Sequence, residues 1–224
     1  FMEFEIDKIY NMDCLDGMRL MKEQGIKADW CITDPPYGIS VNNNIGRRKG
    51  DTKSDYKKAY WDKERLPKSY FDLMFETADK HIIFGGNYYT DYLPPSKSWI
   101  VWDKIMSEDL TFSQVELAWT NAGCMSKIIK CFPNGGEKRI HPTQKPLPVI
   151  EWILNKYTKE GDLICDQFMG SGTTAVACHK LKRRFIGFEL DKEYYDIACK
   201  RLGDEQSQIS IFDYIYRRRK DDKI

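Results

Sequence analysis

Histidine is scarce in this chain. His81, His141 and His179 are its three copies, and they lie far apart, so no histidine-based metal cluster is indicated. The seven cysteines, at positions 14, 31, 124, 131, 165, 178 and 199, contain no Cys-x-x-Cys pair. That excludes a zinc knuckle and a thioredoxin-type redox motif. Most of them sit among apolar residues, as in Trp30-Cys31-Ile32, where a free thiol acts as a small hydrophobe. Reduced thiols point to a cytoplasmic protein. Apolar runs are short: residues 99–102 form one of the longest, and nothing approaches the ~18 residues of a membrane span. No basic segment followed by an apolar one opens the chain, so no signal peptide is expected. Phe1, which precedes Met2, is left out of the reading. Neither sign of charge dominates, with 35 Lys+Arg against 34 Asp+Glu. Bulk charge therefore does not announce a nucleic-acid partner, and local charge has to be read instead.

With 224 residues, 42% hydrophobic and 31% charged, the chain has the composition of one large globular domain. We expect that domain over residues 2–210, followed by a solvated tail at 211–224. Short apolar runs alternate with helical patterns. Strands are predicted at 6–10, 29–33, 81–84, 99–102, 114–119, 127–132, 162–165 and 185–188. Helices are predicted at 15–23, 67–79, 147–157, 173–181 and 192–202. Strand-helix alternation predicts an α/β fold with a parallel sheet and helices on both faces. The closely spaced runs between 99 and 132 predict an antiparallel portion. Residues 38–66 and 133–146 lack periodicity, and loops of that length are usually functional or disordered.

Two turns carry chemistry. The first, Asp166-Gln167-Phe168-Met169-Gly170-Ser171-Gly172-Thr173, follows a predicted strand and opens a helix. It lacks the Gly-Lys-Ser/Thr ending of a P-loop and the third glycine of a dinucleotide fingerprint. A nicotinamide oxidoreductase is therefore disfavoured. Such a turn is either a plain tight turn or a place where a ligand approaches the backbone. Glu189 ends the next strand, about 20 residues on, where a carboxylate can accept both hydroxyls of a ribose. The pair favours an adenosine-containing cofactor.

The second turn, Asp34-Pro35-Pro36-Tyr37, ends the strand at 29–33. Its bland reading is a rigid surface turn. Its functional reading is a site for a planar base with an exocyclic amine. Asp34 and the Pro35 carbonyl accept the two amine protons, and Tyr37 stacks on the ring. Between residues 46 and 65, eight Lys/Arg face four Asp/Glu, with Tyr56, Tyr60 and Trp61 interleaved. This stretch is either a solvated loop or one that grips phosphates and replaces a stacking partner. A second net-basic stretch spans 127–145.

These motifs resemble the beta class of amino-methylating DNA methyltransferases. In that class Asp-Pro-Pro-Tyr comes early and Phe-x-Gly-x-Gly late, here about 130 residues apart. The class motif His-Pro-Thr-x-Lys-Pro is present at 141–146, and the acidic turn Asn11-Met12-Asp13-Cys14-Leu15 also matches. The resemblance covers roughly residues 6–202. Gln167 stands where the family usually has proline. No large target-recognition insert is visible.

The resemblance implies a Rossmann-like methyltransferase sheet with circularly permuted motifs and S-adenosylmethionine as methyl donor. Asp34, Pro35, Pro36 and Tyr37 would be catalytic. Asp13, Thr143, Lys145, Asp166, Phe168, Gly170, Ser171, Gly172, Thr173 and Glu189 would bind the cofactor. In that set, Lys145 would pair with the methionine carboxylate and Asp13 would approach the adenine. Arg47, Arg48, Lys49, Lys57, Lys58, Tyr60 and Trp61 would contact DNA, within loops at about 38–66 and 120–146. Adenine N6 is the implied target, because cytosine-N4 relatives more often begin the motif with serine. The alternatives are cytosine N4, RNA, or a DNA-binding protein that keeps the fold without catalysis. The implied partner is double-stranded DNA, as part of restriction-modification at the nucleoid of a bacterial or phage-infected cell. Family members often form homodimers.

Overall fold

A computed structural model describes residues 3–39, 64–107, 113–136 and 144–221, with side chains described as far as residue 208. Among the described residues eight strands form one sheet. They are β1 (Lys8–Asn11), β2 (Ala28–Thr33), β3 (Ala78–Phe84), β4 (Trp99–Asp103), β5 (Val115–Thr120), β6 (Lys127–Lys130), β7 (Leu163–Asp166) and β8 (Arg184–Glu189). Among the described residues five α-helices cover it: α1 (Cys14–Glu23), α2 (Lys68–Thr77), α3 (Leu147–Tyr157), α4 (Thr173–Lys180) and α5 (Lys192–Asp221).

The strand order is β1-β8-β7-β2-β3-β5-β4-β6. The first five strands of that order are mutually parallel. β5 is antiparallel to both β3 and β4, and β6 is parallel to β4. β5 alone therefore runs against the other seven. The prediction of a mostly parallel sheet with an antiparallel portion holds.

Alternation along each strand feeds two cores. Trp30, Ile32, Ile82, Phe84 and Ile164 point to the face covered by α3, α4 and α5. Cys31, Ile83 and Cys165 point to the face covered by α1 and α2, against Met18, Met21, Tyr70, Phe71 and Met74. A strand buried on both faces must be apolar at every position, as residues 30–32 and 82–84 are. Four of the cysteines, Cys14, Cys31, Cys165 and Cys178, are buried as small core residues.

The structure departs from the expected elements in two helix ends and one strand pairing, beyond shifts of a few residues at strand ends. The helix predicted to Asp79 ends at Thr77, and β3 begins at Ala78. β6 does not pair with β5, because β3 and β4 already occupy both edges of β5. It pairs instead with the open edge of β4. The helix predicted to end at Leu202 continues to Asp221. Gly203 is the one breaker in that stretch, and a mid-helix glycine, worth about 1 kcal/mol, does not stop it.

The topology fixes where a ligand sits. From β7 the chain crosses to β8 on one side, and from β2 it crosses to β3 on the other. Neighbouring strands whose connections depart in opposite directions leave a crevice at their carboxyl ends. Asp166 ends β7 and Asp34 follows β2, so the two chemical turns flank that crevice.

Candidate active site

A cavity of about 490 Å³ occupies the crevice, within the ~300–1,000 Å³ range of small-molecule sites. Its lining brings together Asp13, Asp34, Pro36, Lys145, Asp166, Phe168, Gly170, Ser171, Thr173 and Glu189. Residues far apart in sequence thus meet at one edge of the sheet.

Asp166 is buried, and three donors hold its carboxylate. The Thr33 hydroxyl donates at 3.1 Å and the Phe168 N–H at 3.1 Å to Oδ1, and the Thr174 hydroxyl donates at 2.6 Å to Oδ2. Burial nevertheless pushes its pKa up to about 6, against the lowering effect of these bonds. Glu189 is fixed in the same way. Its carboxylate accepts the Gly170 N–H at 2.7 Å and the Asp191 N–H at 2.9 Å. Burial is the main cause that raises it to about 7.

The two glycines of the turn do different work. A Cβ on Gly170 would meet only the Phe168 carbonyl, at 3.9 Å. Gly170 therefore presents open backbone to the cavity. Gly172 is not among the lining residues. It holds a φ of +83°, and a Cβ there would lie 2.9 Å from Cβ of Ala198 on α5. Its smallness serves helix packing. Ser171 and Thr173 line the cavity and are also tied to Arg201, which donates to the Ser171 carbonyl at 2.7 Å and the Thr173 hydroxyl at 3.3 Å. Asp13 caps α1 by accepting the Leu15 N–H at 2.8 Å, the ordinary role of an N-cap aspartate. Gln167 is buried and paired with sulfur: the Cys31 thiol donates to Oε1 at 3.0 Å, and Nε2 reaches Cys165 Sγ at 3.5 Å. That pairing accommodates a polar side chain where the family usually has proline.

Asp34 sits in a network of charges. Its Oδ1 accepts the Tyr37 hydroxyl at 2.5 Å, and its Oδ2 accepts the Lys145 ammonium at 2.5 Å. Lys145 also reaches Glu116 Oε1 at 2.9 Å, Tyr37 donates to the same oxygen at 3.2 Å, and Lys104 reaches Glu116 Oε2 at 3.2 Å. Burial raises Asp34 above the usual carboxylate range; Lys145 opposes this and Glu116 adds to it. Glu116 is held down at about 2, where the nearby Lys145 and Lys104 outweigh burial. The Tyr37 ring stacks on Tyr88 with centroids 4.8 Å apart, and a Cβ on Gly85 would collide with that ring. The Pro36 carbonyl accepts the Tyr89 hydroxyl.

Sequence reasoning missed Glu116, Lys104, Gln144, Asp191 and Tyr194, of which the last two and Gln144 line the cavity. The available signal for Glu116 was a lone carboxylate in an otherwise apolar strand, since an acidic residue in such a place is rarely buried without a partner. His141 and Thr143 lie outside the described residues, as do Arg47, Arg48, Lys49, Lys57, Lys58, Tyr60 and Trp61.

The chain is 57% identical to the type II methyltransferase M2.DpnII of Streptococcus pneumoniae over 101 residues, 45% of this chain. It spans 35% of the length of that relative. It is 26% identical to the type II methyltransferase M2.MboI of Moraxella bovis, across 88% of this chain and 87% of that protein. Its fold matches the crystal structure of the M1.HpyAVI–SAM complex with a TM-score of 0.62 and 26% identity, over 87% of this chain and 99% of that one. The profile of the N6/N4 DNA methylase family matches residues 89–200, which is half of the 224 residues, and the chain belongs to that family.

Proposed function

We propose that this protein transfers a methyl group from S-adenosylmethionine to the exocyclic N6 amine of an adenine flipped out of double-stranded DNA. The observation that carries this reading is the placing of Asp34 and the Phe168–Gly170 turn on one cavity, with Glu189 beside the turn. Residues 2–210 form the catalytic domain in this reading, and the loops at about 38–66 and 120–146 contact DNA.

The cavity residues fit the proposed methyl donor. Glu189 is a fixed carboxylate suited to ribose hydroxyls, and Gly170 leaves room for close approach. Phe168 and Met169 supply apolar wall, and Asp166 and Asp13 supply acceptors at either side. S-adenosylmethionine supplies an electrophilic methyl on a sulfonium.

The protein's part is to present the amine. Extruding a base from the duplex costs a few kcal/mol, which contacts outside the cavity must offset. Asp34 and the Pro35 carbonyl accept the two amine protons, since Tyr89 already engages the Pro36 carbonyl. Accepting those protons draws the nitrogen lone pair out of conjugation and aims it. The stacking role proposed for Tyr37 sets the base against a ring already fixed at its hydroxyl by Asp34 and Glu116 and covered on one face by Tyr88. Asp34 is placed to take the proton the amine releases when the methyl exchanges its bond to sulfur for one to nitrogen, the sulfur leaving as a neutral thioether. Positioning and preorganised charge supply most of the acceleration.

Among the described residues no helix is long and apolar enough to cross a membrane. The free thiols support a cytoplasmic setting. The family resemblance supports a homodimer, which sedimentation of the purified protein tests.

The deciding experiment is mass spectrometry of nucleosides after incubation with S-adenosylmethionine and unmethylated DNA. N6-methyladenine is the expected product. N4-methylcytosine would overturn the choice of base. Cofactor binding with no methylated base would favour an RNA substrate or a non-catalytic DNA-binding protein.

A further inference from the structure

Glu116 reaches the site by an unusual route. In a parallel sheet, functional residues gather at the carboxyl ends of the strands. β5 is the strand that runs the other way, so its amino end lies at that same edge. Phe84, the last residue of β3, pairs with Ala118, which puts Glu116 two residues further out, beside the Asp34 turn. Its side chain is 14% exposed and that of Lys145 10%. A carboxylate taken this far from water needs partners, and Glu116 has three: Lys145, Lys104 and the Tyr37 hydroxyl. Two of those three also bind Asp34 directly.

We propose that Glu116 is a positioning residue for methyl transfer, holding the Lys145 ammonium and the Tyr37 hydroxyl where both fix the Asp34 carboxylate at the cavity. The inference rests on the functional reading above. Lys145 has three N–H donors and Tyr37 one. Shared between two carboxylates, they define one arrangement of the Asp34 oxygens. Without Glu116, Lys145 and Tyr37 are held from one side only, and Asp34 turns with them.

The test is the Glu116→Gln variant, with Glu116→Asp as a milder companion that keeps the charge and withdraws it by one methylene. Single-turnover transfer is followed with tritiated S-adenosylmethionine and unmethylated plasmid DNA, with protein in excess. The expected result is a rate at least tenfold below wild type, affinity for S-adenosylmethionine within threefold, and intermediate loss in Glu116→Asp. A second readout needs no turnover: carbon NMR of the Asp34 side chain in cofactor-free protein, titrated with pH. The charged groups facing Asp34 are Lys145 and Glu116, with the neutral, titratable Tyr37 hydroxyl beside them and Asp166 across the crevice. Deleting the Glu116 charge removes a repulsion, so the Asp34 midpoint moves to lower pH. That movement reports only that the two carboxylates face each other; a rate loss at unchanged cofactor affinity and melting temperature is what a purely structural role would not produce.

An active wild type with an unaltered rate in Glu116→Gln overturns this inference alone, wherever the Asp34 midpoint falls. So does a rate that falls only in step with cofactor affinity and melting temperature. If Glu116→Gln fails to fold, Glu116→Asp decides: a wild-type rate there overturns the proposal. A wild type that transfers no methyl overturns the functional reading, and this inference with it.

Discussion

The Lys145 ammonium bridges Asp34 and Glu116, at 2.5 Å from one carboxylate and 2.9 Å from the other. Asp34 follows β2, Glu116 is the second residue of β5, and Lys145 directly precedes Pro146 at the start of α3. One cation thus ties together three separate parts of the fold at the rim of one cavity. The resemblance assigns Lys145 to the methionine carboxylate, and the residue does line the cavity. Its ammonium is directed at Asp34 and Glu116 and holds these two carboxylates side by side.

Replacing Lys145 with methionine should therefore act on stability and on pH dependence together. The variant leaves two carboxylates close together with little water around them. Removing one partner of a buried ion pair costs about 3 kcal/mol. Burial and Glu116 already raise Asp34, and Lys145 is the main influence that lowers it. Its loss lets the Asp34 pKa rise, so more alkaline solution is needed to ionise the carboxylate. The acid limb of the rate profile should move to higher pH, opposite to the effect of Glu116→Gln. Urea unfolding and a pH–rate profile check both parts, and an acid limb that stays in place would count against the electrostatic role of Lys145.

Asp34→Ala should abolish turnover and leave cofactor affinity within a few-fold of wild type. The side chain is bonded to Tyr37 and Lys145, whereas the cofactor-side carboxylates Asp166 and Glu189 have their own separate donors. Isothermal titration with S-adenosylmethionine, run beside the transfer assay, separates the two effects. A variant with full turnover would remove Asp34 from the mechanism.

The sequence showed most of what lies at the carboxyl ends of parallel strands. Asp34 after β2 and the turn after β7 were readable because proline and glycine punctuation marks those ends, and Glu189 at the end of β8 was readable from its distance of about 20 residues from that turn. Glu116 was not readable in the same way. Its role depends on the direction of β5, which is decided by strand pairing across the sheet. The partner of β6 was hidden for the same reason, since pairing is a contest among edges and not a property of residues 127–130. The distinction between Gly170 and Gly172 was hidden too. Both carry positive φ, and only the approach of Ala198 on α5 tells them apart.

Glu189 should make cofactor binding depend on pH near neutrality. Its pKa is raised from the model-peptide value of 4.5 to about 7, mainly by burial. A ribose hydroxyl is best accepted by the ionised carboxylate, so affinity for S-adenosylmethionine should tighten between pH 6 and pH 8. The same shift bears on folding. A carboxyl group with a raised folded pKa contributes stability that is complete below its unfolded value and lost as pH rises through the folded value. Glu189→Gln cannot ionise. Relative to wild type it should gain stability as pH rises from about 4.5 through 7, and its weakened cofactor affinity should be flat over that window. Thermal melts of both proteins at pH 5 and pH 8 give the first comparison, and titration calorimetry gives the second. A stability difference that does not change with pH would refute the assignment.

The two glycines of the Phe-x-Gly-x-Gly turn should separate cleanly on substitution with alanine. At Gly172 the new methyl meets Ala198 at 2.9 Å in a backbone with φ of +83°. Left-handed backbone costs roughly 1–2 kcal/mol for a residue with a Cβ. Overpacking against α5 adds roughly 1–3 kcal/mol. Gly172→Ala should therefore lower the melting temperature markedly, while the protein that remains folded binds S-adenosylmethionine with nearly unchanged affinity. Adding Ala198→Gly should recover part of the loss, because it removes the clash and leaves the backbone strain. At Gly170 the new methyl enters open space in a backbone with φ of +54°. Gly170→Ala should lose only about 1 kcal/mol of stability. Its main effect should be on cofactor affinity, because the methyl projects from the cavity wall beside Glu189. Parallel melting and binding measurements on the three variants check the pattern. Equal losses of affinity at both positions would show that Gly172, like Gly170, faces the ligand.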